Sequence, residues 1–162
     1  MNQTGFLLSE LITPANIQLN LISHQRNDLL RELVSYIPEI SKVPDLQETL
    51  LRALQDREQL HSTGIGDGIA LPHARNALVG LVEKPVIVFG RHPQGIPFGA
   101  IDGKPARIFF LLVAPNVTQH LAMLARISRL LRDPKVREDL LAVGTAEKAI
   151  SIVRDGETKL LK

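Results

Sequence analysis

The sequence predicts an α/β fold, a single domain in which a mixed β-sheet is flanked by helices. Helical apolar spacing marks both ends of the chain, around Leu29–Ile37 and Leu46–Leu60 and again from Leu121 to Leu131. Two buried strands, Pro85-Val86-Ile87-Val88-Phe89 and Ala106–Val113, lie between them. No repeat, low-complexity tract or long Pro/Gly/Ser linker divides the 162 residues.

Each element follows from local pattern. Ile17, Leu19 and Leu21 alternate with Gln18, Asn20 and Ile22, which reads as a short strand. Asn27-Asp28 offers an N-cap for the helix carrying Leu29, Leu30, Leu33, Val34 and Ile37, and Pro38 should stop it. A second helix opens near Pro44 and runs through Leu46, Leu50, Leu51 and Leu54 to Leu60. His61–Gly68 is then a glycine-rich loop leading into the extended Ile69-Ala70-Leu71-Pro72-His73. Pro93-Gln94-Gly95 and Asp102-Gly103-Lys104-Pro105 read as turns. A helix starts near Thr118 and stops before Pro134; shorter helices follow over Pro134–Ala142 and Thr145–Val153, the latter capped by Thr145.

Composition removes several classes of function. Without cysteine, disulfides, thiolate nucleophiles, zinc–thiolate sites and iron–sulfur clusters are excluded. The 19 basic and 17 acidic residues leave a formal charge of +2, too little to argue for nucleic acid. Ile108–Ala114 is the longest apolar run, far short of the roughly 20 residues that cross a bilayer. The start, MNQTGFLLSE, has no basic n-region or cleavable apolar segment, so a cytoplasmic protein without membrane insertion is expected. Aromatics are few (Phe6, Tyr36, Phe89, Phe98, Phe109, Phe110), so the core must be aliphatic.

The motifs narrow the chemistry further. Gly64, Gly66 and Gly68 do not fit the dinucleotide fingerprint, and an extended segment with Pro72 follows them where that mechanism needs a helix. No G-K-[ST] or G-x-S-x-G occurs, and His24, His61, His73, His92 and His120 show no tight metal-ligand spacing. No cofactor is implied. His73 stands apart: Pro72 fixes its own φ and keeps Leu71 extended, so the imidazole emerges from a stiffened strand end. An imidazole nitrogen is a nucleophile at neutral pH and can carry a covalent group, so His73 suits a phosphoryl acceptor.

A phosphoryl group needs positive neighbours. Arg57 ends the second helix, just where the chain turns into the loop leading to His73, and its planar fork suits phosphate oxygens. His120 falls in the first turn of the Thr118 helix, where free N–H groups and the dipole favour an anion. Taken singly, Arg57 is a helix-end charge and His120 a first-turn surface residue. They form a site only if the fold joins them.

The stretch Arg57-Glu58-Gln59-Leu60-His61-Ser62-Thr63-Gly64-Ile65-Gly66-Asp67-Gly68-Ile69-Ala70-Leu71-Pro72-His73 resembles the signature of the fructose/mannitol/nitrogen-type enzyme IIA. Ile96–Pro105, Ile108–Ala114 and His120-Leu121 match as well, so the resemblance spans about Leu19 to Val153. It implies one enzyme IIA type-2 domain over residues 1–162, with its core over about 17–154. It further implies a phosphoryl carrier of the bacterial phosphoenolpyruvate-dependent phosphotransferase system. His73 would take phosphate from the histidine of an HPr-like carrier, on Nε2, with Arg57 and His120 steadying the phosphohistidine. Ala100-Ile101-Asp102-Gly103 and the stand-alone length look more like the nitrogen-regulatory branch, whose phosphorylation state governs partners, potassium transport among them. The alternative is a sugar-specific enzyme IIA handing phosphate to an enzyme IIB. Arg75 stands where many relatives have lysine or a smaller residue, and Ala114–Gln119 is a residue or two shorter than usual. A third reading, of Arg126, Arg129, Arg132, Lys135 and Arg137 as a nucleic-acid surface, is weakened by Asp133, Glu138 and Asp139.

Overall fold

The computed structural model describes residues 6–76, 78 and 80–161; the first five residues of the start on which the absence of an export leader was read lie outside these. The elements run β1 (Ile17–Gln18), α1 (Arg26–Val34), α2 (Pro38–Ser41), α3 (Pro44–Leu60), β2 (Gly64–Gly66), β3 (Ile69–Ala70), β4 (Val86–Ile96), β5 (Ala106–Val113), α4 (Val117–Leu130), α5 (Pro134–Ala142) and α6 (Ala146–Leu160). One mixed five-stranded sheet has the order β1-β4-β5-β3-β2. β4 and β5 pair antiparallel, while β1 lies parallel to β4 and β3 parallel to β5.

Both faces of the central strands are covered, which is why their sequences read as unbroken apolar runs. Val88, Phe109, Leu111 and Val113 face one cluster with Leu29, Leu30, Leu33, Leu50, Leu51 and Leu54 of α1 and α3. Ile87, Phe89, Ile108, Phe110 and Leu112 face the other, with Met123, Ile127, Leu130, Leu140 and Val153 of α4 to α6. The alternation sorts side chains of one strand between two helical layers. Prolines at the first turn start α2, α3 and α5. No helix among the described residues is long and apolar enough to cross a membrane.

Several local expectations shift. α1 begins at Arg26 after Gln25, so Asn27-Asp28 lies within its first turn rather than capping it. Asp28 there meets the positive end of the helix dipole instead. The strand expected over 17–22 is regular only at Ile17–Gln18: Gln18 Oε1 accepts the Asn20 N–H (3.0 Å) and bends the chain, which rejoins β4 where the Leu21 N–H donates to Arg91 O (2.9 Å). Pro93-Gln94-Gly95 is not a free turn; β4 runs on through it as a bulge to Ile96. The buried His92 ring makes this possible: Nδ1 accepts from the Gln94 and Gly95 N–H groups, and Nε2 donates to Ser23 O (2.9 Å). The glycine-rich loop is a β2–β3 hairpin whose turn residues Asp67 and Gly68 both have positive φ, +57° and +79°.

The core also reaches beyond the patterned region. Phe6, Leu8 and Ile12 pack into the second cluster, and α6 continues past Val153 to Leu160. Gly156 permits this, since a Cβ there would lie 2.6 Å from Leu130 Cδ1. Glu157 is 4% exposed and pairs with Arg126 (2.8 Å) while accepting the Leu8 N–H (2.8 Å). Arg126 also donates to Phe6 O (2.7 Å) and lies over the Phe6 ring. The basic stripe is thereby dispersed into structural duties, as Arg137 donates to the Leu131 and Arg132 carbonyls at the end of α4.

Candidate functional site

The chain leaves β3 as Leu71-Pro72-His73 and stays extended beside β5, where Leu112 N–H donates to Pro72 O (3.0 Å) and His73 bridges Leu112. Pro72 has no N–H of its own to place, so this segment runs on without a full ladder. His73 is half-buried and its Nδ1 lies 2.6 Å from Leu71 O. A carbonyl only accepts, so Nδ1 carries the proton and Nε2 keeps its lone pair.

Two of the three residues that the sequence singled out flank this ring directly or through charge. The His120 ring centroid is 5.7 Å from that of His73. His120 is 6% exposed, a buried residue and not the surface one its first-turn position suggested. α4 starts one residue earlier than expected, at Val117, because Asn116 caps it: Asn116 Oδ1 accepts from Gln119 N–H (2.9 Å) and its Nδ2 donates to Gln119 Oε1 (2.8 Å). The Val117 and Thr118 N–H groups have no acceptor among the described residues. Arg57, in the last turn of α3, donates to His61 O and is close enough for its charge to disfavour the His73 imidazolium. Arg57 also lines a groove of about 610 Å³ with Leu60, Ala74 and Arg75, beside His73 in the chain.

Burial pushes the His73 pKa below the ordinary imidazole range, the positive charges of Arg57 and His120 add to the shift, and the Leu71 carbonyl opposes it. Burial also lowers His120. Both rings are therefore neutral at pH 7, which keeps His73 nucleophilic. The linked stability effect has a definite sign. Below about pH 6.5 the unfolded chain binds protons at these two positions more readily than the native one, so stability rises with pH across that window. Urea midpoints should fall between about pH 7 and pH 5, and His73→Gln/His120→Gln should flatten part of that slope. An unchanged slope in the double variant would show that other groups control it.

Sequence reasoning passed over Glu58. It sits in the last turn of α3 at 3% exposure, and its Oε1 accepts the Thr63 N–H (2.8 Å) while Oε2 bonds the Thr63 hydroxyl. Burial raises its pKa; the two Thr63 bonds and the charges of Arg26 and Arg57 oppose this. A carboxylate beside an arginine inside the signature stretch was a signal, but nothing local reveals that it is buried.

Residues 10–156 match the family described as phosphoenolpyruvate-dependent sugar phosphotransferase system, EIIA 2. The chain is 35% identical over 148 residues to the PTS system fructose-specific EIIABC component of Bacillus subtilis, covering 90% of this chain but only 23% of that protein. It is 32% identical to the nitrogen regulatory protein of Bradyrhizobium diazoefficiens, covering 90% and 94% of the two chains. Among solved structures, that of nitrogen regulatory protein IIA-Ntr from Neisseria meningitidis superposes with a TM-score of 0.78 at 30% identity, over 90% of this chain and 98% of that one.

Proposed function

Because the chain belongs to the phosphoenolpyruvate-dependent sugar phosphotransferase system EIIA 2 family, we propose that His73 Nε2 accepts the phosphoryl group from the phosphohistidine of an HPr-like carrier. The observation that carries this reading is the His73 ring, with Nδ1 committed to Leu71 O, the His120 ring centred 5.7 Å away and the Arg57 charge acting on it. In the transfer the donor's P–N bond breaks as the new Nε2–P bond forms, and each ring retains the proton on its other nitrogen. Such a reaction needs alignment and charge stabilisation more than a base. Arg57 and the free N–H groups of Val117 and Thr118 supply positive groups for the equatorial oxygens, and His120 closes the buried side. Phosphorylation by phosphoenolpyruvate, enzyme I and the carrier, followed by mapping of the modified peptide, tests the assignment. Label mapping outside residues 69–75 would overturn it.

Arg57 gives a graded check. Arg57→Ala should slow phosphoryl acceptance about 100-fold, the cost of removing one preorganised donor. Arg57→Lys should recover only part of that, since an ammonium keeps the charge without the planar fork. Equal rates for all three proteins in rapid-quench labelling would remove Arg57 from the site.

For the output, the reading is a cytoplasmic regulator in nitrogen- or potassium-linked control whose partner contacts change with the charge on His73. Support comes from the similarity to nitrogen regulatory proteins over almost their full length. A sugar-specific enzyme IIA is the second reading, favoured by the fructose-specific relative. Incubating the phosphorylated protein with a purified enzyme IIB separates them: stoichiometric hand-off supports sugar transport. Retained phosphate, with partners captured in only one phosphorylation state, supports regulation.

A further inference from the structure

Glu58 breaks two local rules. It places a carboxylate in the last turn of α3, at the negative end of the helix dipole, and it buries that carboxylate to 3% exposure. An apolar side chain of similar size would fill the space at less cost. Departures of this kind concentrate where a protein needs a geometry more than it needs stability.

The hydrogen bonds show which geometry it serves. Glu58 Oε1 accepts the Thr63 N–H at 2.8 Å and Oε2 bonds the Thr63 hydroxyl, so Thr63 is gripped at two atoms. Thr63 O in turn accepts the Leu71 N–H at 3.0 Å. Leu71 O then meets His73 Nδ1 at 2.6 Å. The Thr63 bond restrains Leu71 from the β2 side, while Leu112 N–H to Pro72 O (3.0 Å) restrains the next peptide from the β5 side. Neighbouring tethers fix the same connection, since Ser62 donates to Phe98 O and accepts the Gly64 N–H at 2.9 Å.

We infer that Glu58 is a positioning residue for the His73 ring: its carboxylate fixes Thr63, Thr63 fixes Leu71, and the Leu71 carbonyl holds the Nδ1 proton so that Nε2 is the nitrogen presented. The inference rests on His73 being the phosphoryl acceptor for its consequence, though not for its geometry. A charged acceptor makes the first bond in this series strong, and holding an imidazole in one tautomer is a known lever on nucleophilic and acid–base chemistry. Glu58→Gln retains an oxygen for the Thr63 N–H and an amino group for the Thr63 hydroxyl, so it should preserve the arrangement. Glu58→Met keeps the volume and leaves the Thr63 N–H without its acceptor.

The test measures the His73 ring itself by ¹⁵N NMR of histidine-labelled full-length protein, together with the rate of phosphorylation by the carrier. In the wild type and Glu58→Gln, Nδ1–H should dominate and rates should agree within about threefold. In Glu58→Met, the two tautomers should mix and the rate should fall by about tenfold or more, as expected for a displaced reacting group. A purely structural role would lower the unfolding midpoint while leaving the tautomer untouched. If Glu58→Met does not fold, Thr63→Val removes only the hydroxyl bond, and should give the same tautomer drift with a fall of about twofold. Wild-type tautomer and rate in whichever of these variants folds would overturn the inference. Failure of the wild type itself to take label would instead overturn the phosphoacceptor reading, and the NMR measurement would still decide the role of Glu58.

Discussion

His73→Gln is expected to abolish acid-labile phosphorylation, by at least about a thousandfold, while leaving the fold intact. Glutamine can still donate to Leu71 O, but it offers no nucleophilic nitrogen lone pair. No other histidine is prepared to take over. His92 is buried with Nε2 donating to Ser23 O and Nδ1 accepting two backbone N–H groups. His120 is 6% exposed, its ring centroid 5.7 Å from that of His73. His24 and His61 are exposed, and among the described residues neither ring has a nitrogen held by a backbone carbonyl as His73 Nδ1 is. His73 is only half-buried at a strand end, so the thermal midpoint of the variant should stay within a few degrees of the wild type. Persistence of label at full yield in a folded His73→Gln protein would show that another residue accepts the phosphate.

The second large effect is on stability. Glu157→Ala is expected to cost about 3 to 5 kcal/mol, the range for removing one partner of a buried ion pair. Glu157 ties together Arg126 of α4 and the Leu8 N–H, so its loss removes the carboxylate partner of a guanidinium that is 20% exposed and the acceptor of a buried peptide N–H. For a chain of this size that corresponds to a fall of roughly 10 °C in Tm. Because the Leu8 bond lies 149 residues away in sequence, cleavage near Phe6–Leu11 should also accelerate under limited proteolysis. Adding Arg126→Met should recover part of the loss, since it removes the uncompensated charge. A cost below about 1 kcal/mol by urea unfolding would mean that the pair is effectively solvated.

Much of this architecture is legible in the residues alone. The α/β layering follows from the helical spacing and from two apolar strands, and the Pro72-His73 step announces a rigidly presented imidazole. Arg57 lies in the last turn of α3, where the helical spacing put it. What stays hidden depends on partners far along the chain. His92 extends β4 across Pro93 by substituting ring nitrogens for ladder bonds, which no strand propensity encodes. Glu58 looks like an ordinary charged helix residue until the hairpin folds over it. Asn116 was passed over in favour of Thr118, although an asparagine followed three residues later by glutamine matches a cap with a reciprocal side-chain bond. Phe6 and Leu8 show no periodicity, yet they pack onto α4 and α6.

The direction of β3 and β5 has a practical corollary. Both strands end towards His73, which is in register with Leu112, so the exposed Ile101-Asp102-Gly103-Lys104-Pro105 turn before β5 lies about 23 Å away along the strand. Gly103 has open space around it. Asp102 must stay, because its carboxylate holds the Asp67 and Lys104 amides. A fluorophore or epitope grafted just after it would report on the protein from the end of β5 remote from His73.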